Sequence, residues 1–322
     1  MYISRKRSRL TFRRRRAGCA SWLLVIGLVA GVSGLTWSWL QSRHGSTSSA
    51  APEDWLGGAL DAFSRGDLDS AIIRARQRLA SAPADAEALL LLTRSLIFRS
   101  FSEFDRAVDR QLAVQFGARA LARTPDNPEL IAIHAYALAV NGQPREAAAG
   151  ARRALEMIPG HPLARTALSL AYGGAGAFDA ALRDAELAAA SASGAIQVDA
   201  LRALAIAYSD LGRYAEAAHV ADRAIALDGH LLSLHFERAL YALQTGDYDK
   251  ATEAYYQVLE LDAQNVKAHL RLCELSSLLR ETDAAVRYCS AVTALAPAWA
   301  DGWYRLGREY FLQGEFRSAQ LA

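Results

Sequence analysis

Cysteine is scarce in this sequence, and neither glycine nor polar residues dominate any long stretch of it. Three cysteines among 322 residues are too few for a disulfide-packed protein. Glycine occurs 22 times, which excludes a collagen-like repeat, and 52% apolar residues exclude a disordered chain. The composition is that of an ordinary globular protein.

An excess of charge of either sign is also absent, since the formal net charge is +2. This balance hides a strong segregation of charge at the N-terminus. Eight basic residues and no acidic one precede residue 18: Arg5, Lys6, Arg7, Arg9, Arg13, Arg14, Arg15 and Arg16. Without these eight, 28 basic residues stand against 34 acidic ones, a balance of −6. A mildly acidic remainder argues against nucleic-acid binding, which requires a basic face.

One long hydrophobic run follows the basic segment. The 22 residues from Cys19 to Leu40 carry no charge, and a helix of that length spans about 33 Å, enough to cross a bilayer core. Trp22 lies near one end, and Trp37 and Trp39 lie near the other. The positive-inside rule then predicts a single-pass cell-membrane protein with residues 1–18 in the cytoplasm and the chain after residue 40 outside it.

Three other interpretations of the N-terminus stay open. The N-terminus could be a cleaved signal peptide, because signal peptides also begin with a basic segment. The apolar run here is longer than in most signal peptides, and the nearest cleavage motif is at residues 48–50. The arginine run alone would also suit a nucleic-acid-binding arm. An inverted topology would leave the C-terminal region in the cytoplasm, where it could assemble a signalling or division complex.

Residues 41–52, rich in serine, are predicted to form a flexible linker.

Strand-like alternation of apolar and polar residues is almost absent after Pro52. The sequence there has instead a repeat with a period near 34 residues. Small residues mark the repeat at Ala71, Ala113, Ala147, Ala181, Ala217, Ala251, Ala285 and Ala319. Glycines precede most of these alanines by five residues: Gly66, Gly142, Gly176, Gly212, Gly246 and Gly314. Prolines close several units, at Pro83, Pro125, Pro159 and Pro297.

This pattern resembles the tetratricopeptide repeat family, whose unit is a helix-turn-helix of 34 residues. The last unit carries the family pattern most fully, with Trp303, Leu306, Gly307, Tyr310, Gly314, Phe316 and Ala319. The resemblance implies an all-α, right-handed superhelical solenoid of about eight repeats over residues 53–322, with the first helices lining a concave groove. The last unit ends within its second helix, which predicts that a further segment or a partner covers that end.

Three departures from the family pattern are local. Arg280 stands where the seventh unit should have its turn glycine, and Ser193 replaces the closing proline of the fourth. Eight extra residues enter the second unit around Arg99–Asp109.

Motifs for catalysis are absent from the sequence. It contains no HExxH motif and no paired cysteine ligands of a zinc site, and the glycines at 173–176 precede no GK[ST] motif. We therefore expect no enzyme activity, no cofactor and no metal, and a protein or peptide as the partner. The alternative is that the solenoid is the recognition arm of an enzyme whose catalytic domain lies beyond residue 322.

The resemblance to the repeat family places certain first-helix residues on the concave wall. These candidate peptide-binding residues are Tyr136, Leu170, Arg202, Ile206, Phe236, Leu240, Lys267, Leu270, Arg271, Tyr304 and Arg308. An apolar stripe with basic edges predicts a partner with apolar anchors and some acidic side chains. The stripe could instead pack against a further part of the chain or a second protomer. The family's two-carboxylate clamp is broken here, because its asparagine positions hold Ile206 and Glu237.

Two of the three cysteines, Cys273 and Cys289, fall in the seventh unit on the facing helices of one hairpin. An exported domain would meet an oxidising environment, which favours a disulfide between them. Two free thiols that pack as small apolar residues are the alternative.

Overall fold

The computed structural model describes residues 55–104 and 106–322, and this part of the chain contains helices and turns but no strand. Its sixteen helices are α1 Trp55–Ser64, α2 Leu68–Ser81, α3 Ala86–Ser102, α4 Ala107–Leu121, α5 Pro128–Val140, α6 Pro144–Met157, α7 Pro162–Gly174, α8 Phe178–Ser191, α9 Ala195–Asp210, α10 Tyr214–Leu227, α11 Leu232–Gln244, α12 Tyr248–Leu261, α13 Val266–Leu278, α14 Thr282–Leu295, α15 Ala300–Leu312 and α16 Phe316–Leu321.

The basic segment 1–18, the predicted transmembrane helix 19–40 and the linker 41–52 lie outside the described residues. Within the described ranges, no helix combines the length and the apolar character that crossing a bilayer requires.

The helices pair into eight hairpins, each made of an odd-numbered first helix and an even-numbered second helix. Every second helix carries one alanine of the sequence repeat, and the seven from Ala71 to Ala285 are at most 1% exposed. Small residues are needed here because the two backbones approach closely. A Cβ added to Gly307, for example, would lie 3.3 Å from the carbonyl oxygen of Ala319. The periodic small residues therefore lie at the close helix crossings, as the sequence repeat predicts.

The turns inside the hairpins require a left-handed backbone conformation. The six periodic glycines have φ between +71° and +80°, a region that residues with a Cβ rarely enter. Arg280 takes the same place in the seventh repeat with φ of +64°, and no other non-glycine residue of the described chain has a positive φ. The turn keeps its conformation after the loss of glycine, at a cost of about 1–2 kcal/mol.

Helix α3 in the second repeat departs from the regular pattern. It has 17 residues, whereas α5, α7, α11, α13 and α15 have 13 each. The extra turn lies at its C-terminal end, in the insertion that begins near Arg99.

This long helix crosses the inner surface, which we define as the face formed by the first helices α5, α7, α9, α11, α13 and α15. One apolar core runs from α2 to α7, as expected for stacked neighbours. A second core joins Phe63, Leu91 and Phe98 of the first two repeats to residues of α8–α11. The N-terminal hairpins therefore pack across the inner surface as well as along the stack.

Candidate functional site

A buried polar network fills the inner surface where α3 meets α5 and α9. Arg94 on α3 and Asp199 on α9 are only 3% and 1% exposed. The Nε atom of Arg94 donates to Oδ2 of Asp199 over 2.5 Å, and the hydroxyl of Tyr136 donates to Oδ1 over 2.8 Å. Burial and the charge of Asp199 raise the pKa of Tyr136 well above its usual value, so the phenol stays a donor. This part of the inner surface is closed by the chain's own side chains.

The aromatic side chains of α3 pack against α9. Phe98 is fully buried, and the guanidinium of Arg202 lies 5.8 Å from the centre of its ring and 5.0 Å from that of Phe101. The guanidinium of Arg202 also forms an ion pair with Glu237 on α11, with an N–O distance of 2.6 Å. Arg202 thus links α3, α9 and α11.

A cavity of about 440 Å³ begins where α3 ends and continues between α11 and α13. Its walls are mainly apolar, and its lining residues are Phe101, Ser233, Phe236, Glu237, Leu240, Leu243, Tyr255, Lys267, Arg271, Glu274, Leu275 and Leu278. Leu240 and Leu278 are 48% and 61% exposed, so two large apolar side chains face the solvent at its mouth. The hydroxyl of Ser233 is buried in the wall without a hydrogen-bond partner among the described residues.

The charged groups around the cavity are paired within the protein. Glu237 accepts from Arg202, and Glu274 lies 2.7 Å from Arg271 and 2.9 Å from Arg305. Burial raises the pKa of Tyr255 to about 12, so this phenol is neutral at physiological pH. The cavity therefore offers apolar surface and little uncompensated charge.

Comparison with known proteins agrees with this architecture. Residues 242–306 match a family model described as a tetratricopeptide repeat, from the end of α11 into α15. The described chain is an all-α helical repeat solenoid of the tetratricopeptide repeat type. No curated protein matches the sequence.

Two solved structures resemble this chain at low sequence identity. The Cut9–Hcn1 hetero-tetramer of the APC/C has a TM-score of 0.61 and 16% identity over 88% of this chain. This chain spans 53% of the matched chain in that complex, about half of its length. PilF of Pseudomonas aeruginosa has a TM-score of 0.49 and 16% identity, over 71% of this chain and 97% of its own. At such identity the likeness to the chain of the Cut9–Hcn1 complex shows the fold alone.

The structure brings four predicted groove residues together. Phe236, Leu240, Lys267 and Arg271 all line the cavity. The prediction had placed them on one concave wall, with Phe236 and Leu240 in its apolar stripe and Lys267 and Arg271 among the basic residues beside it. Helices α11 and α13 do present all four to the same space.

The other predicted residues lie elsewhere. Tyr136, Arg202 and Leu270 are buried, and Leu170 and Ile206 are half-buried outside the cavity. The sequence predicted an open wall around Tyr136 and Arg202. In the structure α3 occupies that space, so the wall is closed there. Tyr304 is 70% exposed on α15, and Arg308 donates to Ser277 on α13 and to Glu309.

Several lining residues were not predicted. Ser233, Tyr255, Leu275 and Leu278 lie at positions that the family geometry did not single out, and Phe101 comes from the insertion in the second repeat. The insertion itself was visible in the sequence, so its length was the available signal that the second repeat differs.

Cys273 and Cys289 join the two helices of the seventh repeat behind the cavity wall. Their Cα atoms are 5.2 Å apart, and the structure joins their sulfurs in a disulfide. Both residues are buried and pack against Leu306. The geometry is compatible with the bond, and its presence in the cell stays a prediction.

Proposed function

We propose that this chain is a protein-binding scaffold rather than an enzyme, and that the cavity between α11 and α13 receives a large apolar side chain of the partner. The observation that carries the proposal is an apolar cavity of about 440 Å³ that stays open on the inner surface next to the end of α3. Binding sites of this kind combine apolar walls with a few polar groups that orient the ligand. Ser233 and Lys267 are such groups here.

The ion pairs around the cavity refine the chemistry of the partner. Arg202 and Arg271 were expected to attract acidic side chains, but each is already paired with a glutamate. Breaking such a pair to engage a ligand would leave a partly buried glutamate without its partner, which is costly. The proposed partner segment therefore binds through uncharged apolar anchors.

We predict that Leu240→Ala together with Leu278→Ala lowers the affinity for the partner at least about tenfold, since a loss of about 1 kcal/mol at each truncated side chain adds up to more than the 1.4 kcal/mol that corresponds to a factor of about ten. Both side chains are largely exposed, so the fold should be unaffected. A photo-crosslinking residue at position 243, followed by mass spectrometry, would identify the bound segment, and fluorescence anisotropy with that segment would measure affinity.

A matched control is available on the second helices. Leu187 on α8 and Leu227 on α10 are 51% and 50% exposed and lie outside the cavity. Leu187→Ala with Leu227→Ala should leave the affinity unchanged. Equal affinities for the wild type and the Leu240/Leu278 variant would remove the cavity from consideration as the binding site.

We also propose that residues 19–40 anchor the scaffold in a membrane with residues 53–322 outside the cytoplasm. The charge asymmetry around the apolar run supports this topology. Alkaline phosphatase fused after residue 322 should be active, and a cytosolic fluorescent protein fused there should not. Neutral replacements of Arg13–Arg16 should weaken that orientation. Fluorescence without phosphatase activity would place the solenoid in the cytoplasm and contradict the proposed topology.

A further inference from the structure

The end of α3 lacks the local cap that ends the comparable helices. Helices α5, α7, α9, α11 and α15 are followed by a glycine with positive φ, and a backbone N–H after that glycine returns to the helix. The N–H of Gln143, for example, donates to the carbonyl of Leu138 over 2.9 Å. Glu103, which follows α3, has φ of −122°, so α3 ends without this closing turn.

Side chains from the seventh repeat satisfy the last carbonyls of α3 instead. The ammonium group of Lys267 donates to the carbonyl of Phe101 over 2.7 Å, and the amide of Asn265 donates to that of Ser102 over 3.2 Å. The terminal carbonyls of a helix need such partners, and a cation is favourable at this end of the helix dipole. Because the two donors lie more than 160 positions further along the chain, the last turn of α3 depends on a distant contact.

The same turn forms one end of the cavity. Phe101 lies in the cavity wall, and Lys267 lines the cavity while its nitrogen stands 3.9 Å from the ring centre of Phe236. Phe98, one turn earlier, is fully buried and holds the rest of the helix. Arg99 forms an ion pair with Asp109, with an N–O distance of 2.7 Å, which holds the helix just before its last three residues.

We propose that the end of α3 after Arg99, residues 100–102, is a gate at one end of the cavity, and that Lys267 and Asn265 hold it closed. This proposal rests on the proposed function, since it concerns access to the same cavity. When the two donors release their carbonyls, Phe101 leaves the wall and the cavity extends past Glu237 toward Arg202. A bound segment that engages Lys267 competes with the Phe101 carbonyl and so favours the open gate.

The test compares the full chain with a variant carrying Asn265→Ser and Lys267→Met. Serine still caps α13, where Asn265 now accepts from the N–H of Ala268, but it lacks the amide donor. Methionine keeps an apolar stem against Phe236 but has no ammonium group. A matched control carries Asn127→Ser, at the cap of α5, and Lys250→Met, an exposed lysine on α12.

Hydrogen exchange measured by mass spectrometry is expected to become at least about tenfold faster in a peptide covering residues 98–104 of the variant. Exchange in α5 and the helix content by circular dichroism should stay at their wild-type values, and the control should match the wild type throughout. Wild-type exchange at residues 98–104 in the variant would overturn the gate. So would faster exchange spread equally over α3, α9 and α11, because Lys267 and Asn265 would then stabilise the whole fold.

The single variant Lys267→Met provides a second measurement that leaves the cap of α13 intact, and it should show the same local acceleration to a smaller degree. These outcomes are independent of partner binding. If the Leu240/Leu278 variant bound its partner normally, the proposed function would fail while the exchange result would still decide whether the turn is held by the two donors.

Discussion

Asp199→Ala is expected to lower the free energy of unfolding by about 3–5 kcal/mol, the cost of removing one partner of a buried ion pair. The substitution would leave the guanidinium of Arg94 buried without its carboxylate, and the hydroxyl of Tyr136 without its acceptor. Both groups lie between α3, α5 and α9, so the loss should act on the closure of the inner surface. Urea unfolding followed by circular dichroism measures the change.

A surface pair provides the control for this experiment. Arg153 and Asp126 form an ion pair whose side chains are 50% and 82% exposed, and Asp126→Ala should therefore cost at most about 1 kcal/mol. Replacing both buried charges, with Asp199→Leu and Arg94→Met, should recover part of the loss because no charge is then left unpaired. Equal effects of Asp199→Ala and Asp126→Ala would show that the buried pair contributes nothing special to stability.

The repeat architecture could be predicted because it depends on residues close in sequence. An alanine such as Ala217 is required wherever two helices of one hairpin cross, and a glycine such as Gly212 wherever the turn takes a positive φ. These requirements recur with each unit and leave a period in the sequence. Even the exception at Arg280 follows the pattern, since the neighbouring repeat packing imposes the left-handed turn on a residue that does not favour it.

The closed inner surface could not be predicted from the period. The contacts of Arg94 with Asp199 and of Phe101 with Lys267 join residues more than 100 positions apart. They depend on the summed curvature of three to five repeats, to which each unit adds a small rotation that no single motif encodes. The long second repeat indicated that something differs near Arg99–Asp109, but its length alone does not say where the extra helical turn packs.

The part of the candidate site that lies between neighbouring repeats could be predicted, and the part that depends on distant contacts could not. Phe236 and Leu240 on α11 and Lys267 and Arg271 on α13 come from neighbouring repeats, so local geometry was sufficient to place them together. Tyr136 belongs to the third repeat, where α3 covers the wall, and its role in the buried network follows from that long-range contact.

Reducing the Cys273–Cys289 bond is expected to destabilise the solenoid by about 3 kcal/mol, the value for a closed loop of about 15 residues, and here the two cysteines are 16 positions apart. The bond ties α13, which forms one wall of the cavity, to α14. The loss should therefore be concentrated in the seventh repeat. Urea unfolding with and without reductant would measure it, and the double variant Cys273→Ala and Cys289→Ala should have the stability of the reduced protein in either condition.

Thiol labelling of the denatured full chain shows whether the bond is present. The chain has three cysteines, so one reactive thiol, that of Cys19, is expected without reductant and three are expected with it. Three reactive thiols without reductant would contradict the bridge. Because disulfides persist outside the reducing cytoplasm, the same labelling on protein taken directly from cells also tests the proposed topology. An oxidised pair supports a solenoid outside the cytoplasm. A reduced pair, packed as two small apolar side chains between α13 and α14, supports the inverted arrangement.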